Sequence, residues 1–430
     1  MERPGGTMRP VENWGPWNGS RKIQSRETQG DQQDREPDPT TKIIPHMEPS
    51  VSQRHMHTFA ARIFPLLAAG IFSAQLTLAQ QPGCWTNFRG DAALTGVSRA
   101  ELPARPELLW NFKTDDAIRA APVVCGGTIV VGTVGGSLYG IHTDGTLGWK
   151  IATDNAIEGP ALIVGETAYV GNLGGTLHAV DLASGNVRWT YQTENQIMGS
   201  PAFYASGDRE VILVGSYDYY LHGVDLRTGK GLWKYETNNF INGACALYRG
   251  KAVFGGCDGL VHLVDASSGV SGAEMEIATY VASSAAVDGH HALVGDYDGR
   301  FSSVDLESQQ VRWVFENSES NLPFIGSPAV YGDHVYIGNQ DKYLYCLNKN
   351  TGELVWKYNT GGRVDASPVV VGDRVLVANM RGDLFLLDRK TGEPSWTYEL
   401  GTPVYSNPAV VSNRIYVAGD DGRVYCFGKK

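Results

Sequence analysis

Three histidines recur at similar intervals, and imidazole is a common ligand of zinc. His178, His222 and His262 stand in the related segments TLHAVD, YLHGVD and LVHLVD. A zinc site would require their nitrogens to converge to within about 2.1 Å of one ion. Whether they converge depends on the elements that carry them. The usual enzyme signatures offer no other chemistry, because the sequence has no G-x-S-x-G, H-E-x-x-H, P-loop or Rossmann motif.

The secondary-structure elements that carry these histidines can be predicted from an internal repeat. The segment NTGELVWKY (350–358) returns as KTGEPSWTY (390–398), RTGKGLWKY (227–235) and ASGNVRWTY (183–191), with a tryptophan about every 40 residues. Each unit reads as a hairpin of two apolar runs, a third strand, a turn with glycine and a tryptophan-bearing strand. Four short antiparallel strands at this period are typical of a propeller blade. The hairpins fall at residues 121–132, 160–171, 200–215, 244–256, 284–295, 327–338, 367–378 and 407–418.

The number of hairpins predicts how the ring closes. The strand ELLWNF (107–112) precedes the first hairpin, and the last unit ends at Lys430 without a tryptophan strand. The N-terminal strand can therefore supply the outer strand of the last blade and remove an exposed sheet edge. We predict an all-β fold over residues 107–430: an eight-bladed β-propeller of four-stranded antiparallel blades, closed by the N-terminal strand.

Two departures from the repeat lie next to each other. The fourth unit, SSGVSGAEMEI, has no tryptophan, and the fifth, LESQQVRW, has Gln309 in place of the turn glycine. They indicate either a locally irregular wall or sequence drift.

The residues before the propeller divide into three parts. Residues 1–55 are polar without an apolar period, so we expect a disordered extension or an upstream mis-start. Residues 56–79 combine Arg62 with an apolar run and small residues, which is typical of a signal peptide cleaved near Ala79. A membrane anchor and a buried segment are the alternatives, although a spanning helix needs roughly 20 apolar residues. Residues 80–106 should be an extended segment.

The composition limits the partners. A formal charge of -10 disfavours nucleic acid and anionic membranes. A cleaved signal peptide predicts a periplasmic or secreted protein with no transmembrane span in the mature chain. We expect this protein to be a monomer. In that compartment Cys84 could pair with Cys125, but the pairing of six cysteines cannot be deduced from sequence. Lipid anchoring at Cys84 is disfavoured, because QQPGC lacks the small and aliphatic residues expected before an acylated cysteine.

The repeat resembles a known family. AVDLASGNVRW (179–189), GVDLRTGKGLW (223–233) and LLDRKTGEPSW (386–396) are similar to the quinoprotein-like, PQQ-type β-propeller repeat. The segment WTNFRGDAALTGVS (85–98) looks like one that often precedes such propellers in secreted bacterial proteins. The resemblance implies one of two functions: a quinone-dependent dehydrogenase of alcohols or sugars, or a non-enzymatic scaffold like the BamB-type component of outer-membrane protein assembly. The fold alone does not choose between them.

The residues just before the innermost strands should ring one mouth of the channel, where functional residues usually gather. They are Arg119, Glu158, Met198, Asn242, Ala282, Ile325, Asp365 and Tyr405. A dehydrogenase of the family would bind PQQ and calcium, with Glu158, Asn242 and Asp365 as metal ligands and Asp365 as the candidate catalytic base. These three come from different sides of the ring. The mouth loops also carry many carboxylates and only Lys113, Arg119 and Arg363 as cations, a poor match to a tricarboxylate cofactor.

The scaffold function is therefore favoured. In this hypothesis the acidic mouth loops, of which 316–325 is the longest, bind a protein or peptide. The predicted binding residues are Arg119, Glu158, Asn242, Phe324, Asp365 and Tyr405. Phe324 and Tyr405 are the best apolar anchors, with simple packing as the alternative. The three histidines occupy one third-strand position in consecutive blades, and stacked sheets lie about 10 Å apart, so we predict packing between blades rather than a zinc site.

Overall fold

A computed structural model describes residues 83–430, except residues 278 and 282. The predicted extension, the signal peptide and residues 80–82 lie outside the described residues. In the described part the regular elements are all β-strands, and none of its segments forms a helix long and apolar enough to span a bilayer. The all-β prediction is confirmed.

The strands form eight four-stranded antiparallel sheets, here called blades 1 to 8 in chain order. The innermost strands are Val123–Cys125, Leu162–Val164, Ala202–Ser206, Ala246–Tyr248, Ala286–Asp288, Ala329–Tyr331, Val369–Val371 and Ala409–Val411. The second strands are Thr128–Gly132, Thr167–Gly171, Arg209–Gly215, Lys251–Gly255, His291–Gly295, His334–Gly338, Arg374–Ala378 and Arg414–Ala418. The third strands are Ser137–His142, Thr176–Asp181, Tyr220–Asp225, Leu260–Asp265, Arg300–Asp305, Tyr343–Asn348, Asp383–Asp388 and Arg423–Gly428.

The outer strands of blades 1 to 7 are Leu147–Ala152, Val187–Gln192, Gly231–Glu236, Ser271–Glu276, Gln310–Glu316, Leu354–Asn359 and Pro394–Glu399. Blade 8 takes its outer strand, Glu107–Lys113, from the N-terminal side of the propeller, and this strand pairs antiparallel with Arg423–Gly428. The innermost strands of blades 1 and 8 also contact each other. The predicted closure of the ring by the N-terminal strand is confirmed.

The repeated turn and tryptophan lock neighbouring blades together. Gly352 has a φ of 76°, and a Cβ added there would lie 2.6 Å from the ring of Trp313 in the preceding blade. The indole Nε1 of Trp313 donates a hydrogen bond of 2.9 Å to the carbonyl of Lys349. The same contact recurs between Gly392 and Trp356. Glycine is required here both for its left-handed backbone and for the space it leaves to the ring.

The two departures from the repeat compensate each other. Ala273 pairs with Leu263 at the position where the equivalent tryptophan Trp233 pairs with Gly223. Blade 5 follows blade 4, and its turn carries Gln309 with a φ of 58°. Because blade 4 presents no indole ring to this turn, a side chain can occupy the space that glycine leaves elsewhere. The departures are one matched change.

Residues 83–98, here called the N-terminal segment, run along the innermost strands. A disulfide joins Cys84 to Cys125, the pairing that the sequence left open. Backbone hydrogen bonds link the segment to the innermost strands at Trp85–Val124, Thr86–Ile163, Ala92–Leu247, Ala93–Val287, Thr95–Val330 and Gly96–Val370. Val97–Ser98 adds a parallel strand to blade 7. The segment thus pairs strand edges that would otherwise have unpaired backbone groups.

Arg89 ties this segment to the far side of the ring. Its side chain is fully buried, and Nη2 donates to the carbonyls of Pro328 at 3.1 Å and Pro368 at 2.5 Å. Burial lowers the pKa of Arg89 to about 9, although the carboxylate of Asp91 opposes the shift. Gly96 makes room for the guanidinium, since a Cβ there would lie 2.0 Å from Arg89 Nη2. The N-terminal segment therefore crosses the channel.

Candidate functional site

The mouth residues predicted from the sequence line one pocket at the centre of the ring. Those in the described part of the chain are Arg119, Glu158, Met198, Asn242, Ile325, Asp365 and Tyr405; Ala282 lies outside it. Phe88, from the N-terminal segment, completes the wall. The pocket has a volume of about 180 Å³. Sites for drug-sized molecules usually exceed about 300 Å³, so the pocket is small for an organic cofactor.

A belt of serines, not identified from the sequence, forms part of the wall. The backbone N–H of Ala244 donates to Ser284 Oγ at 2.8 Å, that of Ser284 to Ser327 Oγ at 3.0 Å, and that of Ser327 to Ser367 Oγ at 2.9 Å. Each bond joins one blade to the next, which fixes the wall of the pocket. The signal in the sequence is the serine that opens the inner hairpins, as in SSAA, SPAV and SPVV.

Arg119 brings three of the mouth residues together. Its Nη1 lies 3.1 Å from Glu158 Oε1, its Nε lies 3.7 Å from Asp420 Oδ1, and its guanidinium lies 5.2 Å from the centre of the Tyr405 ring. These contacts join blades 1, 2 and 8. Asp420 was not predicted, because it belongs to the turn between a second and a third strand rather than to a mouth loop. The cation at this side of the mouth already has two carboxylate partners.

The other predicted polar residues have separate partners. Asp365 Oδ1 accepts a hydrogen bond of 3.1 Å from Gln340 Nε2, and Arg363 Nη2 lies 3.9 Å from its Oδ2. Burial raises the pKa of Asp365, although Arg363 and Gln340 oppose the shift. Asn242 Oδ1 accepts a hydrogen bond of 3.0 Å from the hydroxyl of Tyr217. The structure therefore engages Glu158, Asn242 and Asp365 individually and does not group them as one set of calcium ligands.

Phe324 is not an anchor at the mouth, so this part of the prediction is wrong. Its side chain is fully buried and packs 5.8 Å from Phe301 and 6.0 Å from Tyr345, measured between ring centres. The sequence contains the reason. A buried aliphatic residue precedes the mouth residue in other blades, namely Ile118, Ile157, Ile197, Ile241, Val281, Val364 and Val404, and Phe324 occupies the same position before Ile325. Tyr405, in contrast, is half-buried at the pocket.

The pocket does not fit a PQQ cofactor. PQQ carries three carboxylates, whereas the pocket presents Glu158 and Asp365 as well as Arg119, whose charge is shared with Glu158 and Asp420. Placing a trianion among these carboxylates in a partly buried site would be unfavourable.

Two of the three histidines, His222 and His262, are packed between blades. His222 Nε2 lies 3.0 Å from Asp218 Oδ2 and its Nδ1 lies 3.0 Å from the hydroxyl of Tyr191. His262 has the same pair of contacts, with Asp258 and Tyr235. Each of these two rings is thus held by its own partners within its own pair of blades, and His178 Nε2 lies 3.4 Å from Asn172 Nδ2 of its own blade.

One other group could in principle hold a metal ion. In the part of the chain that the structure describes, His290, His291 and Asp305 place ligand atoms within 4.8 Å of one another, near the turn at the opposite end of blade 5. Arg312 Nη1 lies 3.4 Å from His291 Nε2 and 3.9 Å from Asp305 Oδ2. This guanidinium already places a positive charge among these atoms, so we do not assign a metal centre there.

The fold and the site together define the class of protein. It is an eight-bladed propeller with a polar mouth at the ends of its innermost strands. The chain belongs to the family described as outer membrane protein assembly factor BamB, whose profile matches residues 100–240, 240–362 and 340–430. None of the curated proteins matches the chain in sequence.

Solved structures share the fold at low identity. BamB from Moraxella catarrhalis is 20% identical with a TM-score of 0.65, over 75% of this chain and 100% of that one. A europium-containing methanol dehydrogenase is 12% identical with a TM-score of 0.66, over 81% of this chain and 99% of that one. Quinohemoprotein alcohol dehydrogenase from Comamonas testosteroni is 14% identical with a TM-score of 0.68, over 83% and 82%. At these identities the likeness concerns the fold alone.

Proposed function

We propose that this protein is a non-enzymatic scaffold that binds a protein or peptide at its mouth, in the assembly of outer-membrane proteins. Membership of the BamB family supports the assembly role. The observation that carries the proposal is the engagement of Arg119 by Glu158 and Asp420 in a small pocket that Phe88 bounds. This arrangement leaves an acidic surface suited to a polypeptide rather than a cavity suited to an anionic cofactor.

We further propose a periplasmic or secreted location for the mature chain, which would act as a monomer. The BamB-like fold supports a periplasmic location, and the disulfide between Cys84 and Cys125 is of a kind that persists in oxidising compartments. The apolar run in residues 56–79 supports export by a signal peptide.

The alternative is a PQQ- and calcium-dependent dehydrogenase of alcohols or sugars. It deserves a test because the methanol and quinohemoprotein alcohol dehydrogenases have the same fold. In this alternative Glu158, Asn242 and Asp365 would bind the calcium ion, and Asp365 would be the base.

The test has a cofactor arm and a partner arm. In the first, the purified protein is titrated with PQQ in the presence of Ca²⁺, followed by calorimetry and cofactor absorbance, and is assayed for reduction of an electron-accepting dye with a panel of alcohols and sugars. The scaffold hypothesis predicts neither binding at high micromolar cofactor nor dye reduction. One-to-one binding that is lost in Asp365→Ala and Glu158→Ala would overturn it.

The partner arm uses a photo-crosslinking amino acid in cells. We expect the crosslinker at Tyr405 to capture a defined component of outer-membrane protein assembly. The matched control is Tyr331, which is 44% exposed and ends an innermost strand away from the mouth. Crosslinks of equal yield from both positions would show that the mouth is not the binding surface.

A further inference from the structure

Five aromatic residues lie in the loops and turns at the mouth of blades 3 to 5. We call Tyr217, Tyr219, Phe240, Tyr280 and Tyr297 the aromatic arc. Tyr217 and Tyr219 stack on Phe240, with ring centres 4.5 and 5.3 Å apart and interplanar angles of 18° and 23°. The backbone N–H of Tyr297 donates to the carbonyl of Tyr280. Tyr219, Tyr280 and Tyr297 are 43%, 55% and 45% exposed, so the arc faces solvent.

The arc is specific to these blades. Every blade has a backbone hydrogen bond from the turn between its second and third strands to the mouth loop before it. In blades 1, 2, 6, 7 and 8 the bonded pairs contain no aromatic residue: Val134 with Ala117, Leu173 with Ala156, Gln340 with Pro323, Met380 with Arg363, and Asp420 with Pro403. The fold therefore does not require aromatic side chains at these positions.

Tyr219 also occupies an unfavourable backbone position. The equivalent turn residue is a glycine with positive φ in six blades, namely Gly136, Gly175, Gly259, Gly299, Gly382 and Gly422. Tyr219 adopts the same left-handed conformation, with a φ of 73°. Such a conformation is rare for a bulky residue, and retained strain of this kind is a reason to ask what the side chain does. Here the strain places an exposed ring on Phe240.

Carboxylates border the arc. The exposed carboxylates in the loops and turns at the mouth of blades 3 to 5 are Glu194, Glu236, Glu276 and Asp298. Asp218 and Asp258 are buried against His222 and His262 and do not belong to this border. Arg300, which begins the third strand of blade 5, is paired with Glu316 at 2.8 Å, and Lys234 Nζ lies 5.3 Å from the centre of the Tyr220 ring. Aromatic faces attract Lys and Arg side chains, whose aliphatic stems also pack on apolar surface. Rings bordered by carboxylates therefore complement a chain that carries both basic and apolar groups.

We propose that the aromatic arc is the recognition surface for an extended polypeptide segment in which basic residues alternate with apolar ones. This inference rests on the proposed scaffold function and assigns its partner class and binding residues. A neutral oligosaccharide would stack on the rings but gain nothing from the acidic border. A second copy of the chain is opposed by its formal charge of -10.

The test measures binding of a fluorescein-labelled ten-residue peptide that alternates Lys with Val and Phe. Fluorescence anisotropy with the purified protein should give saturable binding that weakens with salt. Matched peptides with Glu for Lys, or Ser for the apolar residues, should bind at least tenfold more weakly. We expect Tyr219→Gly and Tyr297→Ser each to weaken binding roughly fivefold to tenfold, since each removes one exposed ring.

Blade 6 supplies the control variant. Lys342 is the other non-glycine residue at this turn position, with a φ of 82°. Lys342→Gly relieves the same kind of backbone strain as Tyr219→Gly, so the two variants are matched for the change in the turn. Only Tyr219→Gly should lose affinity for the peptide. This comparison separates the role of the ring from any general effect of changing the turn.

Cys257 gives an independent footprint. The backbone N–H of Cys257 donates a hydrogen bond of 2.9 Å to the carbonyl of Phe240, which belongs to the arc. Burial raises the pKa of Tyr217 to about 12, and the nearby Cys257 thiol adds to this shift. Of the free cysteines in the described residues, Cys245, Cys346 and Cys426 are buried and Cys257 is half-buried. The bound peptide should slow the reaction of Cys257 with a maleimide, and it should not do so in Tyr219→Gly at the same peptide concentration.

The outcomes test the role of the aromatic arc separately from the proposed scaffold function. Peptide binding that is equal in the wild type, Tyr219→Gly and Tyr297→Ser would overturn the arc but leave a peptide-binding scaffold. Failure of every peptide to bind, together with no crosslink at Tyr405, would overturn both. Binding of cellohexaose that is lost in Tyr219→Gly would assign the arc to a glycan. A dimer in sedimentation that Tyr297→Ser dissociates would assign it to a second copy.

Discussion

The junction between blades 4 and 5 allows the blade-locking contact to be tested by a double-mutant cycle. Ala273→Trp adds the missing indole opposite Gln309. At intact junctions a Cβ in the turn would lie 2.6 Å from Trp313 and 2.7 Å from Trp356, well inside van der Waals contact. The existing Cβ of Gln309 should therefore clash with the new ring. Overpacking of this kind lowers the free energy of unfolding by about 1–3 kcal/mol.

The second change removes the clash. Gln309→Gly alone relieves a left-handed backbone that costs about 1–2 kcal/mol in a non-glycine residue, but it adds about 0.5–1 kcal/mol of unfolded-state entropy. Its net effect should be within about 1 kcal/mol. In the double variant the new ring would bury roughly 100 Å² of apolar surface, worth about 2.5 kcal/mol, less about 1 kcal/mol of side-chain entropy. The double variant should therefore exceed the wild type by about 1–2 kcal/mol.

Scanning calorimetry at one heating rate measures the cycle. For a chain of this size, 1 kcal/mol shifts the melting temperature by roughly 1–2 °C. We expect a coupling free energy of about 2–4 kcal/mol between Ala273→Trp and Gln309→Gly. Trp356→Ala with Gly392→Gln reverses the exchange at an intact junction and should couple with the same sign. Additive effects in both cycles would refute the view that glycine and tryptophan form one contact.

Three further predictions concern the disulfide, pH and the corrected anchor. Opening the Cys84–Cys125 bond, which spans 41 residues, should lower the free energy of unfolding by about 3–4 kcal/mol, seen as a lower melting temperature with reductant and in Cys84→Ser. Burial would raise the pKa of Asp258, but the hydrogen bond and charge of His262 outweigh burial and hold the pKa low. Its stabilising contribution is thus present above a pH of about 4 and is lost as the pH falls through the folded-state pKa, so the melting difference between wild type and Asp258→Asn should shrink in acid. Phe324→Ala should cost about 3–5 kcal/mol of stability, measured by calorimetry, while the folded protein still binds the peptide.

The sequence predicts the fold well because each blade repeats local information. Hairpin turns, alternating strands and the tryptophan period all lie within about 40 residues, and the ring closure follows from where ELLWNF stands relative to the first hairpin. The route of the N-terminal segment was not predicted. Its backbone bonds to Val124, Ile163 and Val330 connect distant parts of the chain and leave no periodic pattern.

The site was predicted in position but not in detail. The phase of the repeat identified Arg119, Glu158 and Tyr405 as mouth residues, and they meet in one cluster. The partners come from other blades and other turns, as with Asp420, so no local pattern reveals them. Phe324 was misassigned because an aromatic residue in a surface loop suggests an anchor. Its alignment with the buried aliphatic position before each mouth residue was the better signal.

The path of the N-terminal segment has a consequence for the timing of folding. Ser98 bonds to the carbonyl of Val410, which lies 312 residues later in the chain. The strand Glu107–Lys113 likewise cannot form its sheet pairing until Arg423–Gly428 has been synthesised. The first part of the propeller to be synthesised is therefore among the last to find its partners. Long-range pairing of this kind is slow and leaves unpaired edges exposed meanwhile. The ring can therefore close only after the strand Arg423–Gly428 has been synthesised.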